Sequence, residues 1–486
     1  MSGANLRSLR TASVLLLILA TLPPAQARAA LDRSHPPALA PPAPLRLPPV
    51  QLQRLANGLE IAVVEMHEAP VVDVTLLVRA GAVFDPPDQP GLATFTSDML
   101  DEGAGSRSAL DIAEQADYLG ASLSTDAGPE MSQVGLHITR RRLAEGLDLM
   151  ADVALRPTFP DSEIARRREL RKTALLQLRD EPTQIAPLAF NAIVFGTQHP
   201  YGRPINGNDA SVASLDRAAV VRFWQTHYRP NAARLLLVGD ITPAEAKALL
   251  TSRFGAWASG DAPAMPVASA PAPPPRAFYL VDKPGAAQSV IRIGQVGVAR
   301  STPDYFALQV LNTLLGGSFT SRLNQNLRET HGYTYGAGSA FDMRHMPGPF
   351  RASASVVTAK TDSSVIEFLK ELRRVRDEAV PESELEKTKS YIALSLPSEF
   401  ETTAGAAARY LDLLDNDLPL DTWQNYIPKV RAVTVADVQR VARKYLDPDH
   451  FAIVVVGDRS AIESGIRALN EGKVELRDLW GAEVLK

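Results

Sequence analysis

The strongest constraint on the fold of this 486-residue chain is an internal repeat. Residues 218–240 have the pattern of a helix, a turn, an apolar strand and a closing Gly-Asp pair. Residues 435–458 repeat this order with an offset of 218 residues. Alternating strands at 71–79 and 289–296 each precede a helix and mark the starts of the two halves more loosely. The ordered set predicts a duplicated chain.

Breaker-rich segments divide the chain into domains. A stretch rich in Pro and Ala at 258–276 separates an N-terminal domain, 50–257, from a C-terminal domain of similar length, 277–486. A second Pro-rich stretch lies within residues 30–49 and suits an extended arm, because proline removes backbone donors and fixes the backbone.

The first 29 residues have the features of a secretory signal peptide. Arg7 and Arg10 precede a short apolar run, and small residues in an A-x-A arrangement end it. The run is too short to span a bilayer, and no later segment is apolar enough to do so. We therefore expect the signal to be cleaved and the mature protein to be periplasmic; an uncleaved anchor is the alternative.

Composition excludes several classes of function. The net charge is −4 and there is no long basic tract, so a nucleic-acid partner is not expected. The chain has no cysteine, which excludes thiol catalysis, thiolate metal sites and disulfides.

Hairpin-like groups of strands alternate with long helices such as 161–179 and 363–378. This mixture predicts an α+β fold, in which each domain has a mainly antiparallel sheet with helices packed on one face.

Residues 91–103 read G-L-A-T-F-T-S-D-M-L-D-E-G. This frame resembles the zinc-site helix of the pitrilysin/insulinase-like metallopeptidases, roughly G-L-A-H-F-x-E-H-M-L-x-x-G. Further segments match the family in order, among them 199–204, 314–317, 321–323 and 327–335. The resemblance covers essentially everything after residue 50 and implies two homologous domains that face each other across a cleft.

The resemblance also shows what this chain lacks. In the family, two His one turn apart and a later Glu bind zinc, and a Glu beside the second His is the general base. Those positions are occupied here by Thr94, Ser97 and Asp98, and by Ala174, which lies 76 residues after Asp98. One carboxylate is not a zinc site, so we expect no metal in this chain. No pair of His elsewhere stands at metal-binding spacing, and no G-x-S-x-G motif is present.

Arg328 and Tyr335 match an Arg and a Tyr that, in active relatives, point into the cleft from the second domain. A guanidinium can hold a substrate carbonyl, and a phenol can donate a hydrogen bond to an oxyanion. The alternative is a surface Arg in an ion pair and a strand Tyr half in the core. Within the family frame we favour the catalytic interpretation.

The resemblance implies a division of labour. The family includes two-chain enzymes in which one subunit carries zinc and the other carries the Arg–Tyr pair. The leading hypothesis is therefore the non-zinc subunit of an exported heterodimeric peptidase, with a zinc-bearing partner subunit and unfolded peptides as substrates. The alternatives are an inactive homologue that binds peptides or acts as a scaffold, and a purely structural subunit of a larger assembly.

Overall fold

The computed structural model describes residues 45–484, which form two six-stranded sheets surrounded by helices. The predicted signal peptide, 1–29, and most of the Pro-rich arm, 30–49, lie outside the described residues. Within the described part of the chain, no helix is long and apolar enough to cross a membrane. The predicted α+β class is confirmed.

Six strands form each large sheet and two short strands form a separate hairpin. In chain order the strands are β1 (Gln51–Arg54), β2 (Glu60–Glu65), β3 (Val71–Val78), β4 (Gly103–Ala104), β5 (Arg107–Ser108), β6 (Ser122–Ala127), β7 (Ser132–Thr139), β8 (Ala233–Gly239), β9 (Ala277–Asp282), β10 (Gln288–Val296), β11 (Thr334–Phe341), β12 (Pro349–Val357), β13 (Ala452–Gly457) and β14 (Lys473–Arg477).

The helices of the described residues lie between these strands along the chain. The α-helices are Leu92–Asp98, Ala109–Leu119, Leu143–Leu155, Asp161–Leu178, Pro182–Phe195, Asp209–Ser214, Arg217–His227, Pro243–Phe254, Tyr305–Asn312, Arg322–Asn324, Thr361–Asp377, Glu382–Ser395, Thr403–Asp415, Tyr426–Ala432, Val435–Tyr445 and Arg459–Ala468. Two further segments, Thr313–Gly317 and Gln325–Thr330, are π-helical.

Five of the six strands have the same order in the two sheets, which confirms the predicted duplication, and the outer strands differ because β1 runs antiparallel to β2 whereas β14 runs parallel to β9. The first sheet runs β1-β2-β8-β3-β7-β6, and the second, taken from its other edge, runs β14-β9-β13-β10-β12-β11. Each sheet is mixed, because β2 runs parallel to β8 and β9 runs parallel to both β13 and β14. The last residues of β8 and β13 are Gly239 and Gly457, the two glycines of the sequence repeat.

Each half contributes a helix to the other half's sheet. The helix Pro182–Phe195 precedes the linker but packs on β10 and β13 of the second sheet. The helix Thr403–Asp415 packs reciprocally on β3 and β8 of the first. Because of this exchange, apolar residues of both halves share cores: Phe190 packs in one cluster with Tyr279 and Val454. The exchange adds a layer that the sequence did not predict, and it ties the two halves together.

Residues 258–276, the predicted linker, contain no helix or strand. The segment nevertheless contacts the second half, where the backbone N–H of Ala268 donates to Met346 Sδ at 3.2 Å.

A cavity of about 470 Å³ lies where the two halves meet. It is lined by Asp126 and Glu130 of the first half and by Asp342 and Asp412 of the second.

Candidate functional site

The first candidate site is built on the short helix Leu92–Asp98. Gly91 precedes it with φ +94°, in the left-handed region that favours glycine, and a Cβ there would lie 2.6 Å from the backbone N of Gly207. The buried carboxylate of Asp85 accepts hydrogen bonds from the N–H groups of Gly91 and Ala93, both at 2.7 Å. Burial raises the pKa of Asp85 to about 7, while the two N–H donors act in the opposite direction. These contacts fix the start of the helix against the loop that follows residue 204.

The structure places the four predicted degenerate metal-site positions on two neighbouring helices. Thr94 and Ser97 are buried, and the Thr94 hydroxyl donates to the carbonyl of Ile205 at 2.8 Å. Asp98 is one turn after Thr94, with 38% of its side chain exposed. Ala174 lies on the exposed surface of the helix Asp161–Leu178.

A cation of the protein itself occupies this site. The Arg171 guanidinium donates from Nη1 to the Thr94 hydroxyl at 2.8 Å and from Nη2 to the Asp98 carboxylate. It also donates to the carbonyl of Asn206 at 3.3 Å, and its Cζ lies 5.6 Å from the ring centre of Phe95. Only 11% of the Arg171 side chain is exposed. Arg171 therefore joins two of the positions that bind zinc in the family.

The residues at this site do not fit a zinc ion. A hydroxyl, a single carboxylate already paired with a guanidinium, and a methyl side chain cannot replace two imidazoles and a carboxylate as zinc ligands. Across residues 45–484, no group of three or more His, Asp or Glu side chains is arranged to hold a metal.

The second candidate site lies at the start of β11. Arg328 is part of the π-helical segment Gln325–Thr330, and such segments occur frequently at functional sites. Tyr335 lies at an irregularity in the pairing of β11 with β12, where the register shifts between Thr334 and Ala337. Bulges of this kind turn a side chain out of the sheet, and Tyr335 is 89% exposed.

Arg328 and Tyr335 are brought together by the fold. The Cζ atom of Arg328 lies 5.3 Å from the ring centre of Tyr335 and 4.5 Å from that of Phe319. Arg328 also pairs with Glu329 at 3.4 Å. Phe319 is 60% exposed, so two aromatic rings and a guanidinium form a cluster open to solvent. We call Phe319, Arg328 and Tyr335 the second-half cluster.

Asn324 connects the two chain segments that carry this cluster. Its side chain is buried, donates to the Phe319 carbonyl at 2.7 Å and accepts from the Ala337 N–H at 3.2 Å. Sequence reasoning missed Phe319, Asn324 and Arg171. An Asn two residues after the Ser-Arg pair at 321–322 has no recognisable chemistry in the sequence, and its bonds appear only when the loop and strand meet.

The two candidate sites are not joined inside the chain. Among the described residues, no hydrogen bond or ion pair links Arg328 or Tyr335 to Thr94, Asp98 or Arg171. The cavity between the two halves is lined by none of them. The second-half cluster is therefore open to solvent and is not bonded to the altered metal site of its own chain.

Two family models match the sequence, and together their regions span more than half of the chain. Residues 60–208 match the insulinase family, peptidase family M16, and residues 214–392 match the peptidase M16 inactive domain.

Similar proteins cover most of the chain. An uncharacterised zinc protease of Mycobacterium tuberculosis is 26% identical, over 85% of this chain and 95% of that protein. The beta subunit of the mitochondrial-processing peptidase of Mus musculus is 24% identical, over 88% of each chain. The crystal structure of a peptidase M16 inactive domain from Pseudomonas fluorescens has a TM-score of 0.79 at 27% identity, and covers 84% of this chain and 98% of that one. Matched sequence, duplicated sheets and the altered zinc-site helix agree, and the chain belongs to the insulinase (M16) peptidase family.

Proposed function

We propose that this chain is the non-zinc subunit of an exported, two-chain M16 peptidase. The observation that carries the proposal is the exposure of the second-half cluster, together with the absence, among residues 45–484, of any hydrogen bond or ion pair between it and the altered metal site. A guanidinium and a phenol held side by side at the surface, in a chain whose zinc-ligand positions do not fit a metal, suit a site that a second chain completes.

In such an enzyme the partner supplies the zinc ion, its His, His and Glu ligands and the Glu base. Arg328 would orient a carbonyl of the substrate, because its planar fork fixes the direction of the hydrogen bonds that it donates. The Tyr335 hydroxyl would donate to the oxyanion that develops on the attacked carbonyl. Both roles require access from outside the chain, which the exposure of Tyr335 provides.

The substrate class that suits this arrangement is an unfolded peptide. An extended peptide can add to a free sheet edge through main-chain hydrogen bonds. The outer strands β6 and β11 lie at the same end of their respective sheet orders, and Tyr335 is in β11. Export rests on the predicted signal peptide, residues 1–29, and periplasmic activity is part of the proposal.

The second candidate function is an inactive homologue that binds peptides or acts as a scaffold. The similarity to the peptidase M16 inactive domain from Pseudomonas fluorescens, at 27% identity, favours it, as does the guanidinium in the altered metal site. In that case Arg328 and Tyr335 would bind a peptide without promoting its hydrolysis.

The decisive experiment combines this chain with the product of a neighbouring reading frame that has an intact H-x-x-E-H motif. Bound zinc and cleavage of a quenched peptide are measured for each chain alone and for the mixture. We expect this chain alone to bind no zinc and cleave nothing, and the mixture to do both. Zinc bound in equal stoichiometry by the isolated chain would contradict the proposal.

Tyr335→Phe tests the catalytic role within the mixture. The variant keeps the ring and loses the hydroxyl, and turnover should fall roughly 10²-fold, the scale of losing one oxyanion donor. Tyr118→Phe is the matched control, because Tyr118 is a 75% exposed tyrosine on a helix of the first half. Full turnover with Tyr335→Phe would favour the peptide-binding alternative.

A further inference from the structure

We infer that the Arg171 guanidinium has taken over the structural role of the metal in the first half and excludes a metal from it. This inference does not depend on the proposed function. It concerns the way in which the altered site holds together, and whether that site has the capacity to bind zinc again.

Arg171 connects the same elements that a metal would connect. A metal at this site would join the helix Leu92–Asp98 to the helix Asp161–Leu178. Arg171 makes the same connection through its bonds to Thr94 and Asp98. It also contacts a third element, the loop that contains Asn206, through the bond to that residue's carbonyl.

Thr94 and Asp98 are four residues apart and lie on one face of their helix, as the two His of the family do. Arg171 lies on the facing helix three residues before Ala174, so both positions are on the same side of that helix. The guanidinium thus lies among the positions that would surround the ion.

The Arg171 cation is nearly enclosed and is paired with the carboxylate of Asp98. A divalent ion brought among the same positions would lie within a few ångströms of a fixed positive charge that cannot be deprotonated in a protein. Repulsion at such a distance, in a partly dehydrated site, strongly opposes metal binding. Restoring the ligands without removing Arg171 should therefore fail.

The experiment restores the ligand set in the full chain with Thr94→His, Asp98→His and Ala174→Glu. Zinc binding is titrated against a chelator, with Arg171 retained and with Arg171→Leu added. We expect the variant with Leu to bind zinc at least about 100-fold more tightly, because one close like-charge contact is removed. Equal zinc affinity in the two variants would overturn the inference.

Single substitutions in the otherwise unchanged chain test the structural role independently of the redesign. We expect Arg171→Leu to lower Tm by about 2–5 °C and to increase hydrogen exchange at residues 92–98 and 205–207. The matched control is Arg168→Leu on the same helix, since Arg168 donates to the Leu215 carbonyl and does not contact Thr94 or Asp98. Unchanged Tm and unchanged exchange in Arg171→Leu would overturn the inference even if the redesigned variants did not fold.

Discussion

The guanidinium carbon of Arg328 lies 4.5 Å from the ring centre of Phe319. Phe319 lies in the loop before the helix Arg322–Asn324, whereas Tyr335 lies in β11. The Arg328 cation therefore contacts an aromatic ring from each of two chain segments, and without Phe319 it would contact the exposed ring of Tyr335 alone. Cation–π contacts at exposed positions contribute about 0.5–1 kcal/mol. In this protein that energy restricts where the Arg328 fork points, and orientation is what its proposed role requires.

Phe319→Ala should therefore weaken the two-chain enzyme without unfolding this subunit. We expect kcat/KM for peptide cleavage to fall about two- to five-fold, the equivalent of one exposed cation–π contact. Phe319→Tyr keeps the aromatic face and should retain activity. A normal kcat/KM for Phe319→Ala, in an enzyme that Tyr335→Phe impairs, would show that Phe319 does not position Arg328.

Asn324→Ala should destabilise the chain, because it removes both bonds that tie the Phe319 loop to β11. The Asn324 side chain is buried, and the substitution leaves the Phe319 carbonyl and the Ala337 N–H without that partner. We expect the free energy of unfolding in urea to fall by about 1–3 kcal/mol. Asn425→Ala is the control: the Asn425 side chain makes only local, exposed bonds to Asp421, so its effect should be within about 0.5 kcal/mol.

Gly316 allows the first π-helical segment to approach β11 closely. A Cβ added at Gly316 would lie 2.2 Å from the backbone N of Ser339, a contact that only movement of the backbone could relieve. We expect Gly316→Ala to cost at least about 2 kcal/mol in equilibrium unfolding. At Gly336 the nearest atom would be Asn324 Oδ1 at 3.8 Å, so Gly336→Ala should cost much less. Equal losses in the two variants would exclude this close approach as the reason for Gly316.

Much of the fold could be predicted from the sequence, because the repeat of helix, strand and glycine is local and periodic. The strands predicted at 71–79 and 289–296 are β3 and β10, with ends that differ by one residue. The exchange of helices could not be predicted in this way. The apolar pattern of Pro182–Phe195 indicates a buried helix, but periodicity does not tell which sheet covers it.

In the candidate site, too, residues in local motifs could be predicted and residues that act through tertiary contacts could not. The sequence located Thr94, Asp98, Arg328 and Tyr335, since each belongs to a motif with recognisable spacing. Arg171 was not predicted, because its role depends on a contact between residues 73 positions apart, and an Arg on a charged helix normally faces solvent. The positions of Arg328 and Tyr335 are now known, and their chemical role stays a prediction.

His227 should make stability dependent on pH in mildly acidic solution. Its ring is buried between Phe84 and Phe223, with ring centres 4.7 and 4.4 Å away, and burial lowers its pKa to about 4. Between about pH 4 and 6.5 the unfolded chain therefore binds a proton that the folded chain does not, and the free energy of unfolding falls as the pH falls. The loss from pH 7 to 4.5 should be roughly 2–3 kcal/mol.

His227→Phe removes this titration and is the variant to compare. Urea unfolding of the wild type and the variant at several pH values isolates the His227 contribution as the difference between the two curves. The comparison is needed because burial raises the pKa of Asp85 to about 7, which changes stability in the opposite direction. A difference that does not vary between pH 4.5 and 7 would contradict a lowered pKa of His227.

The exchange of helices predicts that the two halves unfold together. A duplicated chain with a flexible linker could unfold in two steps, as multidomain proteins commonly do. Here the helix Pro182–Phe195 is part of the second sheet's core, so unfolding of the first half would remove a layer from the second.

Phe190→Ala, at a fully buried position of this helix, should lower the free energy of unfolding by about 3–5 kcal/mol and keep a single unfolding transition. Hydrogen exchange should then increase in both β8 and β13, whereas Leu110→Ala, at a 67% exposed position, should change neither. Increased exchange in β13 alone, the strand that this helix contacts, would mean that the halves are independent despite the shared core.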